Sequence, residues 1–379
     1  MKALSRNCVM RFAMKKWADV LQIISGKNQK AVLDPNGAYP IYGSGGIMGY
    51  ANQYLCEAGT TIVGRKGTID NPIFVNERFW NVDTAFGISP GGQLNPRYLY
   101  FFCRHFNFRR LDKSTTIPSL SKRDLLAIEM PVPPLLEQKR IVARIEELFS
   151  ELDSGVETLK KTKQQLAVYR QAVLKAAFAH VTEKKTIRKM SSVVTSGSRG
   201  WAQYYSVHGA KFVRIGNLTR NHVKIDLSDV QYVELPNDAE GRRTQLRPND
   251  VLVSITADLG SIGLVPDDIG EAYVNQHIAM IRFNNPSQGK LMAWYLRSDY
   301  GQKDLLKNKR GGGKLGLGLD DIRDTKVPVM SDAEAAGILA TIESRFSVCD
   351  SIEKTVNAAL QQAEAMRQSI LKKAFEGKL

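Results

Sequence analysis

The sequence has few cysteines and no long apolar run. Its four cysteines, Cys8, Cys56, Cys103 and Cys349, are widely spaced and form no C-x-x-C pair, which argues against a zinc site or a disulfide framework and favours reduced thiols. No run of 18 apolar residues occurs, and basic residues interrupt the N-terminal segment before the core of a signal peptide can form. We therefore expect a cytoplasmic protein that is neither secreted nor inserted in a membrane.

Complete catalytic and cofactor motifs are also missing. The stretch 310–315 lacks the first glycine and the Ser/Thr of a phosphate-binding P-loop, and the glycine loop 43–49 has no βαβ unit around it. The stretches 71–74 and 95–98 begin with Asn-Pro like the element by which amino-methyltransferases hold a flipped base, but each lacks the second proline and is more typical of a turn. The five histidines show no ligand spacing. We predict no catalytic, cofactor-binding or metal-binding residue in this chain.

Positive charge is the first feature that points to a partner. The chain has 379 residues, enough for two or more cores, and carries 53 Lys+Arg against 38 Asp+Glu. Residues 1–130 hold 17 basic and 9 acidic side chains, and residues 186–327 hold 20 and 15. A formal charge of +15, concentrated in these two segments, favours a polyanion such as nucleic acid.

The most informative feature is an internal repeat at an offset of 197 residues. Placing 131–178 over 328–375 without a gap gives 20 identities in 48 positions. Amphipathic helices share an apolar pattern, but that bias does not explain why the polar pair Arg170-Gln171 is repeated at Arg367-Gln368. The chain therefore contains a duplication.

Both copies of the repeat are predicted to be long helices. Apolar residues recur every seven positions, which is the spacing of coiled coils. Pro133-Pro134 precedes the first helix, and Ser331 with Glu334 fits a capping box before the second. The predicted seam consists of Ile145, Leu152, Leu159, Leu166 and Val173 in the first copy and Ile342, Val356 and Ile370 in the second. We expect the two helices to pair with each other as an antiparallel coiled coil.

The segments outside the repeat have a different amino-acid composition. They are rich in Gly, Pro and Asn and contain short β-prone runs such as 60–63, 212–215, 251–255 and 278–281, so mixed α/β globules fit them best. We predict an α+β fold with a pseudo-two-fold internal repeat. Its four segments are a globule at 1–130, a spacer helix at 131–185, a second globule at 186–327 and a second spacer helix at 328–379.

Candidate polyanion contacts in the first globule lie on a glycine turn and an aromatic–basic stretch. The turn 64–68 follows a predicted strand, and a hairpin turn with incidental charges is the plain alternative. In the stretch 98–113 we expect the aromatics in a helix core, whereas the arginines are as compatible with solvated positions as with a nucleic-acid surface. The candidates here are Arg65, Lys66, Thr68, Arg104, Arg109, Arg110 and Lys113.

The second globule repeats this pattern in outline. Residues 250–263 again run from a strand into a polar glycine turn, which favours function over incidental charge in both turns. The glycines at 311–313 would let the backbone approach phosphates closely. The candidates in this globule are Arg199, Ser254, Thr256, His277, Arg310 and Lys314.

Together these features resemble the specificity subunit of type I restriction-modification systems, over essentially the whole chain. The resemblance lies in two variable globules alternating with two repeat helices, in the motifs 137–142, 170–178 and 367–379, and in Gly-Arg-Lys-Gly at 64–67 and Ser-Gly-Ser-Arg-Gly-Trp at 196–201. The second helix departs from the pattern, because Ala-Ala-Gly at 335–337 replaces Gln-Lys-Arg.

The resemblance implies a non-catalytic reader of double-stranded DNA. Each globule would be a target recognition domain for one half of an asymmetric bipartite site. The helices would separate these domains and dock two modification subunits, which carry S-adenosylmethionine and methylate adenine. Restriction/translocase subunits that use ATP could join the same assembly. No cofactor is implied for this chain, and no membrane.

Two other classes of protein remain as alternatives. A DNA methyltransferase with its own active site is suggested by the two Asn-Pro elements, but a complete pair of cofactor and catalytic motifs is missing. A coiled-coil scaffold with incidental charge does not explain why basic globules accompany the repeat. Cofactor binding by the purified chain discriminates between the first alternative and the specificity-subunit interpretation.

Overall fold

The computed structural model describes residues 12–235, 240–307, 309 and 315–379. The chain divides into two compact units. Of the described residues, those in 12–159 and 357–379 form unit 1, and those between 160 and 356 form unit 2. Each unit therefore combines one globular segment with part of each long repeat helix.

The first segment of unit 1 begins with short strands and small helices and ends in the first long helix, and the end of the second long helix completes the unit. The elements of the first segment are β1 (Met14–Lys16), α1 (Trp17–Val20), β2 (Leu21–Ser25), β3 (Tyr39–Gly43), β4 (Gly46–Ala51), β5 (Thr60–Gly64), β6 (Ile73–Val75), β7 (Trp80–Asn81), β8 (Ala85–Pro90), α2 (Pro96–His105), α3 (Lys122–Leu126), β9 (Glu129–Pro131) and the start of α4 (Leu135–Ala177). A four-stranded sheet has the order β2-β8-β5-β6, a three-stranded sheet has the order β4-β3-β7, and β1 pairs with β9.

Unit 2 follows a similar order of elements. These are β10 (Lys184–Thr186), α5 (Ile187–Met190), β11 (Ser191–Ser196), β12 (Tyr205–Ser206), β13 (Ala210–Val213), β14 (Gln231–Val233), β15 (Val251–Ser254), β16 (Ile262–Leu264), β17 (Ala272–Val274), β18 (Ile278–Phe283), α6 (Gly289–Arg297), α7 (Asp299–Leu305), α8 (Leu319–Asp324), β19 (Lys326–Pro328) and the start of α9 (Asp332–Phe375). Its sheets have the orders β11-β18-β15-β16 and β12-β14-β13-β17, and β10 pairs with β19.

The two globular parts therefore share a topology. In each unit the four-stranded sheet is antiparallel, and its strands have equivalent positions in the sheet and in the chain. A second sheet in each unit contains one parallel pair, β3 with β7 and β13 with β17. The first and last strands of each globular segment form a short antiparallel pair. The parallel pairs are exceptions in otherwise antiparallel sheets. This mixed α/β architecture agrees with the expected fold class.

The strand predictions at 60–63, 251–255 and 278–281 are confirmed, because β5, β15 and β18 occupy these runs. The predicted strand at 212–215 begins two residues after the start of the observed strand β13 and extends two residues past its end. Strand β13 ends at Val213 because the Asn217 side chain accepts a hydrogen bond from the backbone N–H of Arg214 at 2.8 Å and starts a 3-10 turn. The competing side-chain bond therefore fixes the end of the strand.

Both long helices begin where the sequence predicts. Helix α4 starts directly after Pro133-Pro134. Helix α9 starts after Ser331, whose hydroxyl accepts a bond from the backbone N–H of Glu334 at 3.3 Å, while the Glu334 carboxylate accepts from the backbone N–H of Ser331 at 2.9 Å. This reciprocal pair is a capping box. None of the helices in the described part of the chain is long and apolar enough to cross a membrane.

The long helices pair within each unit. In unit 1, Ile145 of α4 lies in the same core as Leu371 and Ala374 of α9. In unit 2, Val173 of α4 shares a core with Ile342 and other residues near the start of α9. Early residues of one helix thus meet late residues of the other, so the helices are antiparallel in both units.

Candidate nucleic-acid interface

The turn after β5 presents cations on a loop whose shape depends on glycine. Arg65, Lys66 and Thr68 are exposed. Gly64 has no room for a side chain, since a Cβ there would lie 1.9 Å from the carbonyl oxygen of Thr68. Gly67 has a φ of +80°, a conformation that glycine adopts without strain. The glycines therefore hold two adjacent cations at the surface.

A cleft of about 520 Å³ adjoins this turn. Arg65, Lys113 and Lys122 line it together with Asp124 and several serines. Lys113 pairs with Asp124 at 3.0 Å, and this hydrogen bond holds the pKa of the carboxyl below its usual range. Three cations against one carboxylate leave the cleft positive. The sequence interpretation missed Lys122, because this lysine lies outside the aromatic–basic stretch.

The aromatic–basic stretch divides into core and surface. The side chains of α2 that are buried are Tyr98, Leu99, Phe101, Phe102 and Cys103, which agrees with the prediction that the aromatics pack. Arg109 pairs with Asp70 at 2.7 Å, Arg110 is exposed and Arg104 is half-buried. An ion-paired arginine has part of its charge already neutralised. Of the two exposed arginines, Arg109 is therefore already ion-paired, whereas Arg110 forms no ion pair with a described residue.

In unit 2 the turn after β15 is built around an internal hydroxyl. Ser254 is buried, donates a hydrogen bond to the carbonyl oxygen of Asp258 and accepts one from the backbone N–H of Ser261 at 2.8 Å. Gly260 closes the turn with a φ of +79°. Ser254 thus shapes the loop from inside, while the neighbouring residues of the turn form its surface.

Thr256 and His277 lie together beside this turn. The Oγ1 atom of Thr256 is 2.7 Å from Nδ1 of His277, and Gln276 approaches the other ring nitrogen at 3.0 Å. His277 also lines a cleft of about 380 Å³ with Arg214 and Asn275. The two predicted residues therefore form one polar cluster at the edge of a cleft.

The turns of the two units occupy the same place in the topology. Each turn follows the strand that lies third across its four-stranded sheet, β5 in unit 1 and β15 in unit 2. In unit 1 Lys66 forms a β-bridge to Ser119, and in unit 2 Thr256 forms the corresponding bridge to Gly316. The turn and the segment before the last small helix therefore meet in both units.

Of the remaining predicted residues of unit 2, only Arg199 lies within the described part of the chain. Arg199 is exposed after β11. Nearby, the guanidinium of Arg243 donates a hydrogen bond to the hydroxyl of Thr195. Arg243 was not predicted, although the adjacent arginines at 242–243 offered a signal. Arg310 and Lys314 lie outside the described residues.

The predicted seam residues are all at least partly buried. Ile145, Leu166, Val173, Ile342 and Val356 are buried, whereas Leu152, Leu159 and Ile370 are half-buried. The pairs also contain ion pairs: Arg170 with Asp350 in unit 2 and Arg367 with Asp153 in unit 1.

The two Asn-Pro elements differ in their surroundings. The Asn95 side chain accepts hydrogen bonds from the backbone N–H groups of Arg97 and Tyr98 at 2.9 and 3.1 Å, so it caps α2. Asn71 lies in an exposed loop before β6. Within the described ranges, no cluster of three or more His, Cys, Asp and Glu residues is arranged to hold a metal ion.

Comparisons with known proteins agree on one family. Residues 11–166 match the type I restriction modification DNA specificity domain. The chain is 29% identical over 300 residues to the type I restriction enzyme EcoBI specificity subunit of Escherichia coli, which covers 70% of this chain and 61% of that protein. It is 28% identical over 329 residues to the EcoKI specificity subunit of Escherichia coli (strain K12), which covers 76% of this chain and 68% of that protein.

A solved structure shows the same fold. A chain from a structure concerning complex assembly and conformational transition of the type I R-M system superimposes with a TM-score of 0.71 at 16% identity, covering 97% of this chain and 98% of that one. The alignment to the EcoBI subunit spans less than two thirds of that relative's length. The chain is therefore similar to the specificity subunits of type I restriction enzymes, and its residues 11–166 match the DNA specificity domain of that family.

Proposed function

We propose that the chain is the non-catalytic, sequence-specific DNA-binding subunit of a type I restriction-modification complex. The observation that carries this proposal is the shared position of the two turns, 64–68 and 254–260, at equivalent ends of equivalent strands. Two readers with one topology and different side chains suit a site whose two halves differ in sequence. The names of the relatives and the net charge of +15 support the same function.

In this proposal each globule is a target recognition domain. Residues 1–130 read one half-site and residues 186–327 read the other, while 131–185 and 328–379 form the spacer. The described candidates for DNA contact are Arg65, Lys66, Thr68, Arg104, Arg109, Arg110 and Lys113 in unit 1, and Arg199, Thr256 and His277 in unit 2. Ser254 supports its turn from within, so we assign it a positioning role.

The long helices serve assembly in this proposal. They pair as an antiparallel coiled coil and dock two modification subunits, with restriction/translocase subunits joining the same complex. S-adenosylmethionine and ATP would be bound by those partners and not by this chain. The reducing cytoplasm in which such a complex works suits the free, buried thiols of Cys56, Cys103 and Cys349.

The second candidate, a methyltransferase with its own active site, has less support. Its motif needs a free Asn side chain to hold a base, but Asn95 is occupied as a helix cap. Asn71 is the other candidate, and it lies in an exposed loop, whereas a flipped base needs an enclosing pocket.

The test is to purify the full chain, select binding sites from a library of random DNA duplexes, and measure S-adenosylmethionine binding by calorimetry. We expect a bipartite consensus with an unspecified gap and no heat of cofactor binding. A single uninterrupted consensus, or stoichiometric cofactor binding followed by methyl transfer in the absence of partners, would contradict the proposal.

A further inference from the structure

A glycine-rich hairpin in unit 1 has no role in the proposed function. Strands β3 and β4 pair up to Gly43 opposite Gly46, so Ser44 and Gly45 form a two-residue loop. Gly46 has a φ of +119°, and a Cβ at Gly45 or Gly46 would meet no atom within 4 Å. The space into which side chains at these two positions would extend is therefore open.

Two consecutive apolar residues come shortly after this two-residue loop. Ile47 is 56% exposed and Met48 is 62% exposed. The register shifts between Ile41 and Tyr42, so Met48 is the extra residue of a bulge. A bulge redirects side chains and breaks the usual alternation of a strand. The two apolar side chains are thus exposed next to each other beside a bulge, which favours a binding role.

The hairpin tip touches the cationic turn. A Cβ at Gly64 would lie 3.1 Å from the Cβ of Ser44, and Gly64 directly precedes the exposed Arg65 and Lys66. The base of the hairpin is anchored, since the carbonyl of Tyr42 accepts a hydrogen bond from the segment after β7 at 3.0 Å. A supported apolar tip therefore lies beside two cations.

We propose that the tip of this hairpin, residues 44–48, enters a groove of double-stranded DNA and that Ile47 and Met48 make apolar contacts with the bases there. The proposal rests on the proposed function and names how unit 1 reads its half-site. Apolar side chains read thymine methyl groups in the major groove and can act as wedges at base steps in the minor groove. Two-stranded ribbons fit the major groove.

Charge complementarity selects DNA over a protein partner. Phosphates flank every base that a groove-inserted side chain can reach, so a DNA reader needs cations immediately beside its apolar residues. Arg65 and Lys66 directly follow Gly64, the residue that Ser44 of the hairpin approaches. The glycines at 45–46 let the backbone of the tip approach the groove closely.

Unit 2 is built differently at the equivalent place. There the strand that pairs in parallel, β13, is followed by a long connection, residues 214–230, before β14. The short glycine hairpin is therefore a feature of unit 1 alone among the described residues, and changes at its tip are expected to affect one half-site only.

The test uses the full chain with the double substitution Ile47→Ser and Met48→Ser. Sites are selected from random duplexes for the wild type, and affinities are then measured for the selected site, for each half-site scrambled in turn, and for unrelated DNA over a range of salt. We expect about a tenfold loss of preference for one half-site. Affinity for unrelated DNA, its salt slope and the preference for the other half-site should remain as in the wild type.

Val207→Ser is the matched control, because Val207 is an 89% exposed aliphatic residue on a loop of unit 2. It should leave both half-site preferences unchanged. Retention of both preferences by the double variant would overturn the inference. So would unchanged DNA discrimination accompanied by loss of assembly with modification subunits, which would assign the tip to a protein contact. Failure of the wild type to bind DNA at all would instead remove the proposed function.

Discussion

The guanidinium of Arg170 donates a hydrogen bond to the carboxylate of Asp350 at 2.7 Å, joining the two repeat helices in unit 2. The same two positions of the repeat are joined in unit 1 with the copies exchanged, as Arg367 donates to Asp153. Each guanidinium also lies over the ring of a repeated phenylalanine. The duplicated sequence thus makes reciprocal contacts, the first copy's arginine with the second copy's aspartate and the reverse.

These equivalent arginines should differ in their effect on stability. The side chain of Arg170 is 7% exposed and also pairs with Glu353, which is 17% exposed, whereas Arg367 is 20% exposed and faces a 60% exposed Asp153. Removing one partner of a buried pair leaves an uncompensated charge. We expect Arg170→Met to lower the free energy of unfolding of unit 2 by about 2–4 kcal/mol and Arg367→Met to lower that of unit 1 by less than about 1 kcal/mol.

Urea unfolding measures this difference if the units are followed separately. Trp17 and Trp80 report on unit 1, and Trp201 and Trp294 report on unit 2, so tryptophan-to-phenylalanine backgrounds isolate each signal. Adding Glu353→Gln to Arg170→Met should recover part of the stability, because it removes the unpaired charge. Equal destabilisation by the two arginine variants would show that burial does not distinguish them.

The sequence was sufficient to predict the helices but not their contacts. Seven-residue spacing and the proline and capping signals are local, so they identified where α4 and α9 begin. The hydrogen bond between Arg170 and Asp350 joins residues that lie 180 positions apart in the sequence. The repeat shows which positions are equivalent, but which side chains meet depends on the packing of the whole unit.

Phosphate binding by the cationic turn can be tested through salt dependence. Replacing Arg65 and Lys66 with alanine should weaken binding to unrelated duplex DNA and reduce the slope of log K against log salt by about 0.9 for each phosphate that the variant no longer neutralises. Arg78→Ala is the matched control, because Arg78 is an exposed arginine of unit 1 already paired with Glu57 at 2.8 Å. An unchanged slope in the double variant would exclude the turn from the interface.

Ser254 should act on stability and not on phosphate binding. Its buried hydroxyl joins both sides of the turn after β15, and Ser254→Ala leaves the backbone N–H of Ser261 without its acceptor. We expect the free energy of unfolding of unit 2 to fall by about 1–3 kcal/mol with an unchanged salt slope for DNA binding. A stable variant with a smaller salt slope would mean that this serine contacts DNA directly.

This serine also shows the limit of reasoning from motifs at the candidate site. A polar residue in a glycine turn has the same composition whether it faces solvent or the interior, so the sequence could not separate Ser254 from Thr256. Likewise the glycine loop at 43–49 resembles a cofactor loop in composition. The exposure of Ile47 and Met48 depends on a bulge in the strand pairing, which composition does not reveal.

Acid should destabilise unit 2 through His222. Its ring packs against Trp294, and burial lowers its pKa from 6.5 to about 4. The unfolded chain therefore takes up this proton at a higher pH than the folded chain, so the stability contribution is complete above pH 6.5 and is lost as the pH falls towards 4. We expect the free energy of unfolding to be about 1–2 kcal/mol lower at pH 5 than at pH 7.5.

His222→Asn tests this assignment, because an asparagine can still accept the hydrogen bond that Nδ1 receives from the backbone N–H of Lys224 at 2.9 Å. Comparing the variant with the wild type at pH 7.5 gives the effect of packing alone, since the imidazole is then neutral in both the folded and the unfolded chain. Between pH 6.5 and 4 the variant should show a shallower decline of unfolding free energy. An identical decline would assign the acid sensitivity to the carboxylates.

The length of the repeat helices should set the gap of the DNA site. Unit 1 ends at Leu159 in α4 and resumes at Asn357 in α9, so insertions at these two boundaries leave the contacts within each unit intact. Inserting seven residues at both places preserves the seven-residue spacing of the seam. The insertions lengthen each helix by about 10 Å, which is close to the rise of three base pairs of DNA. Sites selected by this variant should keep both half-sites and contain a gap about three base pairs longer. Insertion in α4 alone should lower stability instead, because the helices then differ in length, and an unchanged gap in the double insertion would show that something other than the helix pair measures the spacing.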